Sequence, residues 1–389
     1  MKSEISRSNK LRFLSVIFGA MIALFLIVNG CGGSMGNNPM MQAGPTTSFA
    51  FVANSGSGNI SVLAISSSGS LSTVNGSPFS AGAGAEFLAV DPLHRFLFVS
   101  NQSAASLSAF SINTSTGMLT PVPGSPFSTG ATPHGVAVDP AGKFVFVGNE
   151  SGSVSAFSIN SGNGALTPVP GSPFAATSPF GITVSPSGTF LYVTNTNTGG
   201  GLSPSSLSTF KIDGATGSLT AVNSPDTTGA TPIGIAADPN GKFLYLAEHM
   251  TESVATFSAD PSTGALTRMG STPAAPASCN VSCHLAPLRV SIHPNEQFMF
   301  VSNVGGNSVS VFSINNGPMP ATATMATGQH PFGTALDPMG NFLLVANKVD
   351  NTISSFAVNA ATGGLMPVSG SPFSSGGNGP TGIAIVAKQ

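Results

Sequence analysis

Residues 144–149 read Phe-Val-Phe-Val-Gly-Asn, and close variants of this six-residue phrase occur seven times along the chain. Each copy is an apolar run that begins with Phe, and all but one end in Asn. The Phe residues follow one another at intervals of 47, 48, 46, 53, 55 and 44 residues. A fixed period in this range predicts a solenoid, a propeller or an array of stacked repeats. The copies are 49–54, Phe96–Asn101, Phe144–Asn149, Phe190–Asn195, Phe243–Glu248, Phe298–Asn303 and Phe342–Asn347.

The repeat at residues 135–169 predicts four antiparallel strands. Four runs of alternating apolar and polar residues are separated by clusters of Gly, Pro, Asn and Ser, which is the pattern of strands joined by hairpins. Pro168 in the fourth run indicates an edge strand, because Pro cannot donate to a central ladder. Gly-Ser-Pro-Phe phrases, such as residues 171–174, are expected to carry the chain inward to the next repeat. Such a unit is a propeller blade.

The two ends of the repeat region predict a closed ring. The folded part opens at Phe49 with a second-strand phrase, whereas residues 382–386 match the first-strand phrase. The C-terminal strand should therefore become the innermost strand of the first blade, which removes a free edge. The predicted fold is all-β, a seven-bladed β-propeller of four-stranded antiparallel blades closed by the C-terminal strand. We expect it to span residues 47–389.

The N-terminal segment has the pattern of an export signal. Four basic residues precede the apolar stretch 13–28, and Gly30-Cys31 follows it. This segment resembles the bacterial lipoprotein box, which implies removal of residues 1–30 and lipidation of Cys31. Residues 31–46, rich in Gly, Asn, Met and Pro, then form a flexible tether. An uncleaved signal anchor is the alternative, although the apolar stretch is short for a span of about twenty residues.

Composition and charge narrow the range of partners. Without residues 1–30 the chain has eight Lys or Arg against thirteen Asp or Glu, a net charge of −5, and no basic stripe, so nucleic acid is not expected. Phosphate loops, calcium loops and His pairs at metal spacing are missing from the sequence, so no cofactor or metal is expected. We expect a monomer on the outer membrane or periplasmic face of a bacterial envelope. Its partners would be the membrane, through the lipid anchor, and an unknown small molecule or envelope protein.

Two further cysteines, Cys279 and Cys283, lie in an insertion that lengthens the connector at residues 270–287. In an exported protein a local disulfide between them is the leading interpretation. A metal site formed with His284 is the alternative, but it lacks a second ligand pair at zinc-like spacing.

The strand sequences resemble a known propeller family. Tyr192-Val193-Thr194-Asn195 is the motif that names the YVTN repeats. The strand pair at residues 234–245 looks like those of lactonase-type seven-bladed propellers, which include bacterial 6-phosphogluconolactonases. The resemblance covers residues 49–386 and implies the same fold.

Family members typically carry a Gly-Pro-Arg-His phrase before one first strand and Asn-Glu-Leu after the following second strand. The matching stretches here are Ala286-Pro287-Leu288-Arg289 and Asn303-Val304-Gly305, so Leu288, Arg289 and Val304 occupy the Arg, His and Glu positions. His134, in residues 132–135, matches a Pro-His phrase that is common in the family.

The channel mouth, where the first strands begin and the loops after the second strands arrive, is where propellers usually bind ligands. The Asn residues of the phrases should reach this mouth, which is mostly neutral. An acid, a His and an Arg placed there can hydrolyse a lactone, because Arg stabilises the developing oxyanion and His or Glu activates water. The alternative is a set of solvated loop residues. The candidate catalytic residues are Glu86, His134, Glu248, His249 and Arg289.

Two functions therefore remain open. The first is a lipid-anchored envelope propeller that acts as a binding or interaction scaffold. The second is a lactone hydrolase resembling 6-phosphogluconolactonase, with its site at the channel mouth. The sequence favours the scaffold, since an export signal does not suit the cytoplasmic phosphorylated lactone, and since fold alone does not carry function.

Overall fold

The computed structural model describes residues 44–196, 205–222, 226–276, 284–314 and 318–389. The expected signal peptide, Cys31, most of the tether, Cys279 and Cys283 lie outside these ranges. Within them, no helix is long and apolar enough to cross a membrane.

The described residues form strands joined by turns and short loops, and we number the strands in chain order. The first half contains β1 (Thr46–Asn54), β2 (Asn59–Ser66), β3 (Leu71–Thr73), β4 (Phe79–Ser80), β5 (Ala85–Val90), β6 (Phe96–Asn101), β7 (Ser106–Ile112), β8 (Leu119–Pro121), β9 (Phe127–Ser128), β10 (Pro133–Val138), β11 (Phe144–Asn149), β12 (Ser153–Ile159), β13 (Leu166–Pro168), β14 (Phe174–Ala175), β15 (Pro179–Val184), β16 (Phe190–Asn195), β17 (Ser206–Ile212), β18 (Leu219–Ala221) and β19 (Asp226–Thr227). The second half contains β20 (Pro232–Ala237), β21 (Phe243–Glu248), β22 (Ser253–Ala259), β23 (Leu266–Pro273), β24 (Pro287–Ile292), β25 (Phe298–Asn303), β26 (Ser308–Ile314), β27 (Pro318–Ala326), β28 (Pro331–Leu336), β29 (Phe342–Asn347), β30 (Thr352–Val358), β31 (Leu365–Pro367), β32 (Phe373–Ser374) and β33 (Pro380–Ala387).

These strands form seven antiparallel sheets, so the predicted seven-bladed propeller is confirmed. Each blade runs from an inner first strand to an outer fourth strand. Blade 1 contains β33 and β1–β4, blade 2 β5–β9, blade 3 β10–β14, blade 4 β15–β19, blade 5 β20–β23, blade 6 β24–β27 and blade 7 β28–β32.

The ring closes as the sequence predicts. β33 pairs antiparallel with β1, with Phe49 opposite Val386 and Phe51 opposite Ala384. Each first strand contacts the first strand of the next blade all the way round the channel. Each pair of neighbouring blades buries its own apolar cluster, so the core is divided among the interfaces between blades. No blade could bury these faces alone.

The outer edge differs from the expected four strands in five blades. The Gly-Ser-Pro-Phe connectors do not only carry the chain inward, because their Phe begins a two-residue strand that pairs with the third strand, as Phe127 does with Leu107. Pro interrupts the outer ladder, and the chain rejoins it after the turn. Blade 4 has Asp226 in place of this Phe and still forms the short strand β19, whereas blades 5 and 6 lack the phrase and have one continuous fourth strand.

The Asn that ends each phrase is buried and holds the third strand of its own blade. Nδ2 of Asn101 donates to the hydroxyl oxygens of Ser106 and Ser108 at 3.0 and 2.9 Å. Equivalent pairs of bonds form in five other blades. The expectation that these side chains line the channel mouth is therefore wrong. They are Asn54, Asn101, Asn149, Asn195, Asn303 and Asn347.

Candidate active site at the channel mouth

Each first strand enters the channel through a sharp turn. The residue before it has a positive φ in every blade, for example 53° at Thr132 and 59° at His330. In blade 3 the ladder pairs Pro133 with Asn149 and then resumes only at Val136. The two residues that the ladder skips, in this blade His134 and Gly135, lie at the channel.

His134 lies between two carboxylates at this mouth. Its Nδ1 is 2.7 Å from Oε2 of Glu86, and its Nε2 is 3.0 Å from Oε2 of Glu150. The His134 ring stacks on Phe180 with 4.0 Å between ring centroids. His134 is only 2% exposed, whereas the Glu150 side chain is 22% exposed. We call Glu86, His134 and Glu150 the carboxylate side of the mouth.

The two carboxylates decide the charge of His134. Burial opposes protonation of the ring, but the hydrogen bond and charge of Glu86, reinforced by those of Glu150, outweigh burial and raise the pKa of His134 above its usual value. Both ring nitrogens therefore act as N–H donors when the imidazolium forms, and each has a carboxylate acceptor in place.

The centre of the mouth is apolar. Phe87 lies against Phe180 and Phe332, with ring centroids 5.8 and 5.7 Å apart. We call this cluster the channel plug. It includes Leu288 and Val304, which occupy two of the positions that carry charged residues in the lactonase-type propellers. Its members are Phe87, Phe180, Ile233, Leu288, Val304 and Phe332.

The second residue of the first-strand bend is Gly in five blades because neighbouring first strands approach closely there. A Cβ at Gly135 would lie 2.5 Å from the carbonyl oxygen of Phe180, and one at Gly382 would lie 2.7 Å from that of Glu86. The two exceptions are Phe87 and Arg289. The five glycines are Gly135, Gly181, Gly234, Gly333 and Gly382.

Arg289 lies deeper in the channel than the sequence interpretation assumed. Its Cζ is 3.8 Å from the centroid of the Phe87 ring, and it lines a channel cavity of about 150 Å³. Burial lowers the pKa of Arg289 to about 10, although the charge of Glu86 opposes this shift. The guanidinium thus contacts the plug rather than His134.

Glu248 is not part of the cluster around His134. It occupies the position of the phrase Asn in blade 5, where its carboxylate pairs with Nη2 of Arg268 at 3.1 Å and accepts from the Ser253 hydroxyl at 2.9 Å. The backbone N–H of Gly229 also donates to it at 2.6 Å. Glu248 is 1% exposed, so its role is to hold the blade together.

His249 does reach the mouth, but on the opposite side. Its Nδ1 is 3.3 Å from the carbonyl oxygen of Pro287. Burial, together with the charges of Lys348 and His249, lowers the pKa of His330. Nζ of Lys348 lies 4.9 Å from the centroid of the Phe332 ring. We call His249, His330 and Lys348 the cationic side of the mouth.

The candidate set omitted Glu150 and the plug. Glu150 directly follows the phrase Asn of blade 3, and it is the one acidic residue at that position of the repeat. Its backbone N–H donates to the carbonyl of Thr132, which fixes it beside the His134 bend. Aligning the residue after each Asn would have found it. Among the described residues, no cluster of three or more His, Cys, Asp or Glu side chains is arranged to hold a metal ion.

Fold and mouth together define a class of protein, a seven-bladed propeller with a buried His between carboxylates at one end of its channel. The family model of the seven-bladed β-propeller lactonases matches residues 46–180, 168–283 and 284–377. The chain therefore belongs to the lactonase family of seven-bladed β-propellers. No curated protein matches the sequence significantly.

Solved structures share the fold at low sequence identity. A putative 6-phosphogluconolactonase from Bacteroides uniformis has a TM-score of 0.74 and 21% identity, over 87% of this chain and 99% of that one. The periplasmic gluconolactonase PpgL of Pseudomonas aeruginosa has a TM-score of 0.73 and 18% identity, over 88% and 100%. These likenesses show the fold. The family match supports the hydrolase alternative better than the scaffold that the sequence favoured.

Proposed function

We propose that the protein hydrolyses a lactone at its channel mouth. The observation that carries this proposal is His134, buried between Glu86 and Glu150 with 2.7 and 3.0 Å contacts, in a propeller of the lactonase family. Family membership supplies the reaction class, and the cluster supplies groups that can move protons and stabilise charge.

Glu86 would act as the orienting group. It is almost buried, and it accepts from His134 Nδ1, which fixes the ring and leaves Nε2 directed at the mouth. A carboxylate in this position stabilises the imidazolium and keeps the proton on the ring, as the raised pKa of His134 indicates.

Glu150 would act as the general base, because it is the more exposed of the two carboxylates. It takes a proton from a water molecule while the water oxygen attacks the lactone carbonyl carbon. His134 Nε2–H, released from Glu150, donates to the carbonyl oxygen as it becomes an oxyanion. Collapse of this intermediate breaks the ring C–O bond, and the proton on Glu150 passes to the leaving alkoxide. The product is a hydroxycarboxylic acid, which releases its carboxyl proton to solvent as a hydroxycarboxylate, and both side chains return to their starting states.

The test is hydrolysis of a panel of five- and six-membered lactones by the full-length protein in detergent. His134→Gln and Glu150→Gln should each lose most of kcat while the protein remains folded by circular dichroism. His330→Gln serves as the matched control, because it removes a mouth imidazole from the cationic side. Turnover that survives in His134→Gln, or no turnover of any lactone by the wild-type protein, would contradict the proposal.

We infer in addition that the protein is exported and lipid-anchored through Cys31. The basic and apolar N-terminal segment and the Gly30-Cys31 pair support this inference, and the similarity to a periplasmic gluconolactonase is consistent with export. Cells grown with a palmitate analogue should label the wild-type protein and not Cys31→Ser. Label that persists in Cys31→Ser would refute the anchor.

A further inference from the structure

Arg289 differs from the other described arginines in its lack of an acceptor. Arg95 pairs with Asp91 at 3.0 Å, and Arg268 pairs with Glu248 at 3.1 Å. Within the described part of the chain, the Arg289 guanidinium forms neither an ion pair nor a hydrogen bond. Arg289 is half-buried, and none of its nitrogens is among the buried atoms that lack a partner, so its N–H donors are open to the adjoining cavity. An anion that enters the cavity can replace water as their acceptor.

The cavity beside Arg289 is small and carries a single charge. Its volume is about 150 Å³. Arg289 is the only charged residue among those that line it. Gly135, Gly333 and Gly382 line it as well, so much of the wall is backbone. Drug-sized ligands need about 300 Å³ or more, which limits the occupant to a few heavy atoms.

The planar guanidinium of Arg289 selects the geometry of the ligand. Its Cζ lies 3.8 Å from the centroid of the Phe87 ring, so the ring occupies that side of the group and an acceptor approaches from the cavity. A carboxylate matches the edge of a guanidinium with two oxygens, whereas a spherical anion cannot make both bonds in line. Glu86 is the one carboxylate whose charge acts on Arg289, and it already accepts from His134.

We propose that the channel cavity beneath the plug binds a small carboxylate anion, held edge-on by Arg289 and distinct from the lactone at the mouth. The site does not depend on the proposed hydrolase activity. Its ligand class follows from the planar fork of N–H donors, which has no acceptor among the described residues, and from the cavity volume.

Thermal unfolding of the full-length protein with increasing formate or acetate tests the site. We expect a saturable rise in Tm for the wild-type protein that equal concentrations of chloride do not reproduce, because only the carboxylate binds the folded state. Arg289→Gln should abolish the rise. Arg289→Lys, which keeps the charge and loses the fork, should weaken binding at least about tenfold.

The matched control is Lys211→Gln, which removes one positive charge from an exposed position of β17. It should keep the wild-type response. An equal response in Arg289→Gln, or an equal effect of chloride, would overturn the proposal. His134→Gln should lose lactone hydrolysis and still bind formate, so the two proposals fail separately.

A second measurement follows binding in the wild-type protein and uses a variant only to assign the signal. In ¹⁵N-labelled wild-type protein, formate should shift a single arginine Nε–Hε resonance, and that resonance should be missing from Arg289→Lys. Titration without any such shift would also overturn the site.

Discussion

The two sides of the channel mouth have equivalent places in the repeat and opposite chemistry. Glu150 and Lys348 both directly follow a phrase Asn, yet one faces an imidazole at 3.0 Å and the other lies over the Phe332 ring. The pKa of His134 is raised by Glu86 and Glu150 against the effect of burial, whereas burial and neighbouring cations lower the pKa of His330. Position in the propeller thus brings a residue to the mouth, and its neighbours decide what it does there.

Lactone hydrolysis should distinguish the two sides of the mouth most strongly. Glu150→Gln should lower kcat/KM for a hydrolysed lactone by roughly 10²- to 10⁴-fold, since it removes the general base. Lys348→Gln, at the equivalent position on the cationic side, should change it by only a few fold. Steady-state rates measure both. Equal losses in the two variants would show that the sides are not functionally distinct.

Phe87 tests whether the plug supports both sides. Its ring contacts His134 with centroids 6.1 Å apart and carries the Arg289 guanidinium on its face. Phe87→Ala should lower the free energy of unfolding by about 3–5 kcal/mol through lost burial and the cavity left behind. Leu93→Ala, at a side chain that is 62% exposed, should stay within about 0.5 kcal/mol in the same urea titration. A small effect at Phe87 would mean that the plug contributes little to the free energy of unfolding.

The two histidines should give stability changes of opposite sign with pH. Because the folded-state pKa of His134 is raised, its contribution is fully present below the unfolded value of about 6.5 and is lost as pH rises through the folded pKa. His134→Gln should therefore destabilise more at pH 5.5 than at pH 8.5.

Because the folded-state pKa of His330 is lowered, the folded protein loses stability as the pH falls from the unfolded pKa of about 6.5 towards the folded pKa. His330→Gln should relieve this loss, so its stability relative to wild type rises as the pH falls. Tm values of both variants between about pH 5 and pH 9 check the pair. Parallel curves for the two variants would contradict the assignment.

The smallest expected effect concerns Lys348 alone. Lys348→Met should cost about 0.5–1 kcal/mol of stability, the usual size of an exposed cation–π contact. It should also raise the pKa of His330, because it removes one of the positive charges that lower it. Histidine Cε1–Hε1 chemical shifts followed against pH measure the second change. An unchanged pKa of His330 in Lys348→Met would show that the Lys348 charge does not act on this imidazole.

Nearly all of the fold can be predicted from the seven copies of the Phe phrase. Period-2 alternation sets which side chains face the neighbouring blade, and the unpaired first-strand phrase at residues 382–386 predicts the closure with β1. The short β9-type strands were not predicted, because a two-residue ladder after a Pro turn has no periodicity of its own.

The site was less accessible to sequence reasoning. His134 and Glu86 were found because they stand next to first-strand phrases. Glu248 was grouped with them because its partner, Arg268, lies two strands away in its blade and is not recognisable from local sequence. The depth of Arg289 depends on a bend whose ladder resumes one residue earlier than in the other blades, opposite Ser302. Contacts of that kind are set by packing, which local pattern does not encode.

The glycines of the first-strand bend restrict how this channel can change during evolution. At five seats any larger residue would collide with the backbone of the next blade, so mutation there is closed off. The first bend position already differs from blade to blade, as Glu86 and His134 show. At the second position, side chains can be varied only where Phe87 and Arg289 stand. Anyone redesigning the specificity of this propeller would begin a library at those two codons.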